Sequence, residues 1–339
     1  MAFDKAYFEP FRQAAGVTVR DEIYDGPTDE FKKTVNSAKA RWDVMQVETA
    51  TLDFGCKEGW FEKLDHRRVA DKADFAPGSL SECGIGIFAW SQALAYNADK
   101  VVGTPASWAD FWDLKKFPGK RGLRRSAKYT LEFALLADGV APADVYKVLA
   151  TKQGVDRAFR KLEDIRPDTV WWEAAPQPAL FLAADKVVMS SAYTIWIDTA
   201  QKRGKNFKTV WNGSLYDFDH WAVRKGTPRI EDAYKLIAFA SKPENQKAFS
   251  TEFAYGPANR KALSMLEPAL ANALPTAEAN LKGAIPINIP FWLRYGPELE
   301  KRFADWAPPL NRQTIEEHEH TEQQSHEHHD DKGAPPHAH

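Results

Sequence analysis

The residues in this sequence best equipped for chemistry are carboxylates set beside large aromatic rings. The densest case is residues 169–200, TVWWEAAPQPALFLAADKVVMSSAYTIWIDTA, where Glu173 directly follows Trp171 and Trp172, and Tyr193 and Trp196 close the next apolar run. A carboxylate walled by ring faces suits an organic cation, because the ring quadrupole attracts a desolvated ammonium and the carboxylate neutralises it. The competing reading is a set of core rings with a solvated glutamate at a strand end. Glu48 closes a second apolar run, WDVMQVE, and Asp217 and Asp219 bracket Phe218 just ahead of His220 and Trp221. A histidine beside two aspartates is also the start of a hydrolase site. No Ser or Cys nucleophile stands in a recognisable strand–turn–helix elbow, however, so catalysis is not expected.

The elements that must position these groups follow from periodicity. Residues 2–15 carry Phe3, Tyr7, Phe8 and Phe11 at helical spacing, with Gly16 as the stop. Residues 17–23 alternate as a strand, 30–39 read as a helix and 42–47 as a second strand, an alternation that predicts parallel pairing through a crossover. Residues 84–96 are apolar enough for a buried pair of strands broken at Ser91 and Gln92, with Trp90 facing a cleft. Ser107 is expected to cap a helix, with Asp110 beside its first turn. The basic run 120–125 reads as a solvated sheet edge. Strands are expected near 169–173, ending at Trp172 and Glu173, and near 186–190. They flank a short helix around 179–184. Another strand continues through 222–223. Helices are expected from about 227 to 240, within 242–263 with a turn at Tyr255, Gly256 and Pro257, and over 291–306.

At 339 residues, 44% hydrophobic and 27% charged, the chain is long enough for two lobes, each with its own core. A net charge of −2 offers no basic surplus for phosphate contacts, which argues against nucleic acid as a partner. Twelve Trp and 20 Phe favour a cleft lined by rings. The two cysteines, Cys56 and Cys83, could form a disulfide in an oxidising compartment or remain buried thiols. The N-terminus shows no signal-peptide pattern, so the protein is expected to be cytoplasmic or the sequence to begin after the signal.

Residues 309–339 carry seven of the nine histidines and almost no apolar side chain, so a disordered tail is expected there. His318, His320, His326, His328 and His329 lie at spacings suited to a divalent metal such as zinc or nickel, and a purely solvating tail is the alternative. A metal-handling protein is therefore a second functional reading.

Six blocks taken together resemble a known family: WDVMQVE at 42–48, CKEGWFEKLD at 56–65, SWADFWDLKKFPGKRGLR at 107–124, VWWEAAPQPA at 170–179, FDHWAVRKG at 218–226 and FAYGPANRKAL at 253–263. The pattern is similar to the extracellular solute-binding proteins of ABC importers, in particular the polyamine-type, spermidine/putrescine-like branch. The resemblance implies an α/β, two-lobe periplasmic-binding-protein-like fold (type II), with hinge strands between lobes and ligand trapped in the cleft. Lobe 1 would comprise 1–97 and 219–264, lobe 2 would comprise 98–218 and 265–308, and 309–339 would be the tail.

The same resemblance implies a non-enzymatic receptor outside the cytoplasm. It would have no cofactor, a small cationic amine as solute and an ABC permease as partner, although the fold also serves receptors for other small solutes. Carried over by position, Glu48 follows the strand into the first-lobe ligand loop, Glu173 and Gln177 lie on the second-lobe ligand loop, and Tyr193 ends its strand. Asp219 sits on the returning hinge strand and Tyr255 opens an aromatic turn. With Trp90 and Trp172 these form the expected ligand-binding set. Members of the family also carry a strand ahead of the helix that begins here at Ala2, so an open sheet edge is expected.

Overall fold

The computed structural model describes residues 3–24, 28–37 and 41–307, and the histidine-rich tail lies outside them. Among these residues eight strands form one continuous sheet: β1 (Val44–Glu48), β2 (Gly84–Asn97), β3 (Arg121–Arg124), β4 (Thr169–Trp172), β5 (Met189–Tyr193), β6 (Phe207–Val223), β7 (Gly256–Pro257) and β8 (Ile285–Pro286). The path runs β1-β6-β2-β5-β3-β4, with β7 against β2 and β8 against β6. Helices alternate with these strands along the chain, giving the two-lobe α/β architecture that was expected.

Two long strands tie the lobes together. Residues 84–90 of β2 pair with 217–222 of β6, whereas residues 92–97 pair with 207–215 and, on their other side, with β5. The strand expected to break at Ser91 and Gln92 does not break. All 14 residues of β2 are buried, and the interruption takes the form of a register shift between Gln92 and Leu94. A bulge of this kind lets a strand bend and change partners while its other ladder bonds persist.

The first lobe departs from the expected pairing. Residues 17–23 form no strand, and β1 runs antiparallel to β6, with Glu48 opposite Asp219. Period-two alternation reports which side chains face inward. It does not say which distant segment supplies the partner. Cys56 and Cys83 are joined in a disulfide that pins the end of helix Thr49–Lys57 to the start of β2. Met45, Val47, Leu52, Trp60 and Phe61 pack around that link.

The second lobe carries the parallel pairs, β3 with β4 and β3 with β5. Here the basic run proves to be no solvated edge. β3 lies between two strands, and Arg121 is fully buried, its guanidinium donating to the carbonyls of Phe111, Gly119 and Phe117. Burial lowers its pKa to about 10, and these carbonyls, with that of Asp113 at 3.4 Å, satisfy the charge while fixing the loop that feeds β3. Gly122 is required at the same place, since a Cβ there would overlap Ser190 on the neighbouring strand. Ser107 and Asp110 behave as expected: Asp110 N donates to Ser107 Oγ at 3.4 Å, and Ala106 N to Asp110 Oδ2 at 2.9 Å.

Candidate functional site between the lobes

The cleft is built from strand ends. β1 and β6 bring Gln46, Glu48 and Asp219 from one side; β3 and β5 bring Arg124 and Tyr193 from the other; Trp90 on β2 and Tyr255 before β7 close it. The cavity holds about 270 Å³ and is also lined by Phe88, Ser91, Glu173 and residues 194–196, a volume that suits a small solute. A larger hollow of about 660 Å³ adjoins it on the β1 side and shares Gln46, Glu48 and Asp219 with it.

Asp219 is held through both of its carboxylate oxygens. It accepts from Gln46 Nε2 through one oxygen and from Trp90 Nε1 through the other at 3.1 Å. Burial, with Glu48 and Asp217 nearby, pushes its pKa up to about 7. Asp217 is raised to about 6, mainly by burial, although Thr49 Oγ1 donates to it at 2.6 Å. Glu48 is exposed in the cleft and does not cap the helix that follows it. Three acids thus crowd the first-lobe wall at some electrostatic cost, and a cation would relieve that repulsion.

The second-lobe wall is basic and aromatic. Arg124 Nη1 donates to Tyr193 OH at 2.8 Å, and the guanidinium lies 5.2, 5.8 and 5.9 Å from the ring centres of Tyr129, Trp172 and Tyr193. Among the described residues Arg124 has no carboxylate partner. Its neighbour Arg125 lies 3.7 Å from Glu173. Tyr255 stacks on Phe88 at 4.4 Å, and burial pushes its hydroxyl up to about 12.

Of the expected site residues, Glu48, Trp90, Glu173, Tyr193, Asp219 and Tyr255 line the cavity. Trp172 and Gln177 do not. Trp172 lies behind Tyr193 and donates to Ser191 Oγ at 3.2 Å. Gln177 Oε1 accepts from the amides of Glu173 and Ala174 at 2.8 and 3.1 Å, which shapes the loop from beneath. Sequence reasoning missed Arg124 and Gln46. Placing β3 in the middle of a parallel sheet would have found Arg124, because ligands sit at the carboxyl ends of such strands. The five tail histidines lie outside the described residues, and within those residues no group of three or more His, Cys, Asp or Glu could hold a metal ion.

His220 is no partner of the aspartates. Its side chain is buried, burial lowers its pKa to about 4, and the bonds of Asp217 and Asp219 run to other groups. The histidine–aspartate pair required of a hydrolase does not form.

Two α/β lobes joined by crossing strands, with a charged, aromatic-lined cavity between them, define a solute receptor of the periplasmic-binding type. The chain belongs to the bacterial extracellular solute-binding protein family, whose model matches residues 6–278. It is 51% identical over 306 residues to a gamma-aminobutyric acid-binding protein of Pseudomonas aeruginosa, covering 90% of this chain and 87% of that one. An ABC transporter substrate-binding protein from Bradyrhizobium japonicum has the same fold, with a TM-score of 0.81 and 32% identity over 91% of this chain and 95% of that one. Similarity to the spermidine/putrescine-binding periplasmic protein of Escherichia coli is more distant, 22% over 274 residues, 78% of this chain and 77% of that one. The solute-binding family is therefore established, and the polyamine branch is not. The members' role is binding, and among the described residues no helix is long and apolar enough to cross a membrane.

Proposed function

We propose that this chain is the receptor of an ABC importer for a short amino carboxylate of the γ-aminobutyrate type. The single observation that carries the reading is the division of charge across the cavity. Glu48 and Asp219 stand on one wall; on the other Glu173 lies 3.7 Å from Arg125, and Arg124 has no carboxylate partner among the described residues. A diamine or polyamine would satisfy the acids but leave a second cation facing the guanidinium, which is repulsive in a poorly hydrated cavity. An amino carboxylate meets both walls: its ammonium lies against Asp219 and Glu48, and its carboxylate takes the planar fork of Arg124. The 51% identical relative named for gamma-aminobutyric acid supports the same chemistry. Trp90 and Tyr255 supply the apolar faces between the two poles. The lobes close about Ser91 and Tyr216, the paired residues at which β2 and β6 pass from one lobe to the other.

Isothermal titration with γ-aminobutyrate, butylamine, butyrate, putrescine and spermidine tests this. γ-Aminobutyrate should bind tightest by at least tenfold, and Arg124→Gln should weaken it about a hundredfold, the effect expected on removing one partner of a buried, hydrogen-bonded charge pair. Putrescine or spermidine binding as tightly as γ-aminobutyrate would overturn the assignment.

A further inference from the structure

We propose that Glu300, on the C-terminal helix Ile289–Trp306, is a positioning residue for the ligand's carboxylate: it holds the turn that follows Arg124 and sets the buried ring of Tyr129 beside that guanidinium. The inference rests on the amino-carboxylate reading. Its geometric basis is a set of three hydrogen bonds from one side chain to one turn. Ser126 Oγ donates to Glu300 Oε1 at 2.7 Å, Lys128 N donates to the same oxygen at 3.0 Å, and Ala127 N donates to Oε2 at 2.9 Å. These donors begin two residues after Arg124, where the chain enters helix Ala127–Ala137 through the non-helical Lys128 and Tyr129 and the amides have no partner within the helix. Ser126 does not cap that helix with its own side chain, so a glutamate from a distant segment does so.

The turn requires such a hold because its backbone is unfavourable. Lys128 has φ −61° and ψ 132°, and Tyr129 has φ 76° and ψ −46°, close to the pattern of a type II turn, which ordinarily has glycine at its third position. A tyrosine in the left-handed region persists only where its surroundings over-determine it. Thr130 Oγ1 and Ser126 N both donate to the carbonyl of Arg124, at 2.9 Å each, so the turn also fixes the backbone that carries the guanidinium. The ring of Tyr129 is buried against Trp90 and Tyr193 at 6.3 and 6.4 Å and lies 5.2 Å from that guanidinium.

The far side of the arrangement is rigid. Helix Ile289–Trp306 is anchored in the second lobe at both ends: Trp292 Nε1 donates to the buried Glu132 at 2.8 Å, and Phe303 and Trp306 meet Trp171 edge-on at 5.6 and 5.8 Å. Glu300 therefore transmits the position of a packed helix to the cation of the cleft without touching ligand.

The test measures the ratio of dissociation constants for γ-aminobutyrate and butylamine in Glu300→Gln, Glu300→Asp and Arg124→Gln, with circular dichroism to verify folding. A glutamine replaces one acceptor with a donor that faces the Ala127 or Lys128 amide. Glu300→Gln should therefore weaken γ-aminobutyrate about tenfold with butylamine unchanged, and Glu300→Asp, which keeps both acceptors on a shorter arm, should fall between it and the wild type. Equal weakening of both ligands would mean a purely structural role and overturn the inference. So would an unchanged ratio in Glu300→Gln where Arg124→Gln loses discrimination. If Arg124→Gln also leaves the ratio unchanged, the amino-carboxylate reading falls and takes this inference with it.

Discussion

The two walls of the cleft are made by opposite means. The first lobe offers acids on antiparallel strands, where the pairing of Glu48 with Asp219 across β1 and β6 sets like charges side by side. The second lobe offers a cation at the carboxyl ends of parallel strands, with its guanidinium beside the faces of Tyr129, Trp172 and Tyr193. The first wall is electrostatically unsatisfied until a cation arrives. The second is already tied down by Tyr193 and by the turn after Arg124. This difference suggests a division of labour: the first lobe supplies the drive for capture and the second supplies the shape. Both are engaged at once only when the lobes close.

The sharpest way to break the comparison is to neutralise the unsatisfied wall. Asp219→Asn should weaken γ-aminobutyrate by roughly a thousandfold, about 4 kcal/mol, which exceeds the loss expected for Arg124→Gln. Butyrate, which has no ammonium, should be unaffected, and titration of both ligands against both variants reads this directly. A larger loss in Arg124→Gln would reverse the roles assigned to the two lobes.

Stability should divide the lobes as well. The disulfide lies wholly in the first lobe and closes a sequence separation of 27 residues. Cys56→Ser should therefore destabilise the protein by about 3 to 4 kcal/mol by the loop-entropy relation. Denaturant unfolding should show the loss in probes of the first lobe, such as Trp60, before those of the second.

The smallest effect concerns pH. Each lobe buries a carboxylate with a raised pKa, Asp219 in the cleft and Glu132 in the core of the second lobe, both at about 7 and both chiefly through burial. In each case the folded protein holds its proton to higher pH than the unfolded chain does. The associated stability is therefore complete below about pH 4 and is lost as pH rises through about 7. For ligand binding the sign is opposite. An ammonium requires ionised Asp219, so affinity should rise with pH, by up to about tenfold per unit below pH 7, and level off above it. Glu132→Gln keeps an acceptor for Tyr146 and Trp292. It should flatten the pH dependence of the melting temperature between pH 5 and 8 and leave the pH profile of binding intact. A change in the binding profile would mean that the two buried acids are coupled.

What the sequence determined by itself was local. Period-two and helical patterns located β4, the end of β6 and the last helix, and the Ser107 cap, because those signals depend on neighbours within a few residues. Aromatic-flanked acids at strand ends pointed to a cleft, and the three so placed, Glu48, Glu173 and Asp219, line the cavity between the lobes. The tertiary structure decided everything that depends on which distant strands meet. It set β1 antiparallel to β6, bringing Gln46 to Asp219 across 173 residues of chain. It put β3 in the interior of the second lobe, which turned an apparent solvated edge into the buried clamp of Arg121 and the cleft cation of Arg124. It also brought Glu300 to a turn more than 170 residues earlier. Alternation of side chains fixes only which face points inward. The choice of partner strand is a global balance of packing, and no short window of sequence contains it.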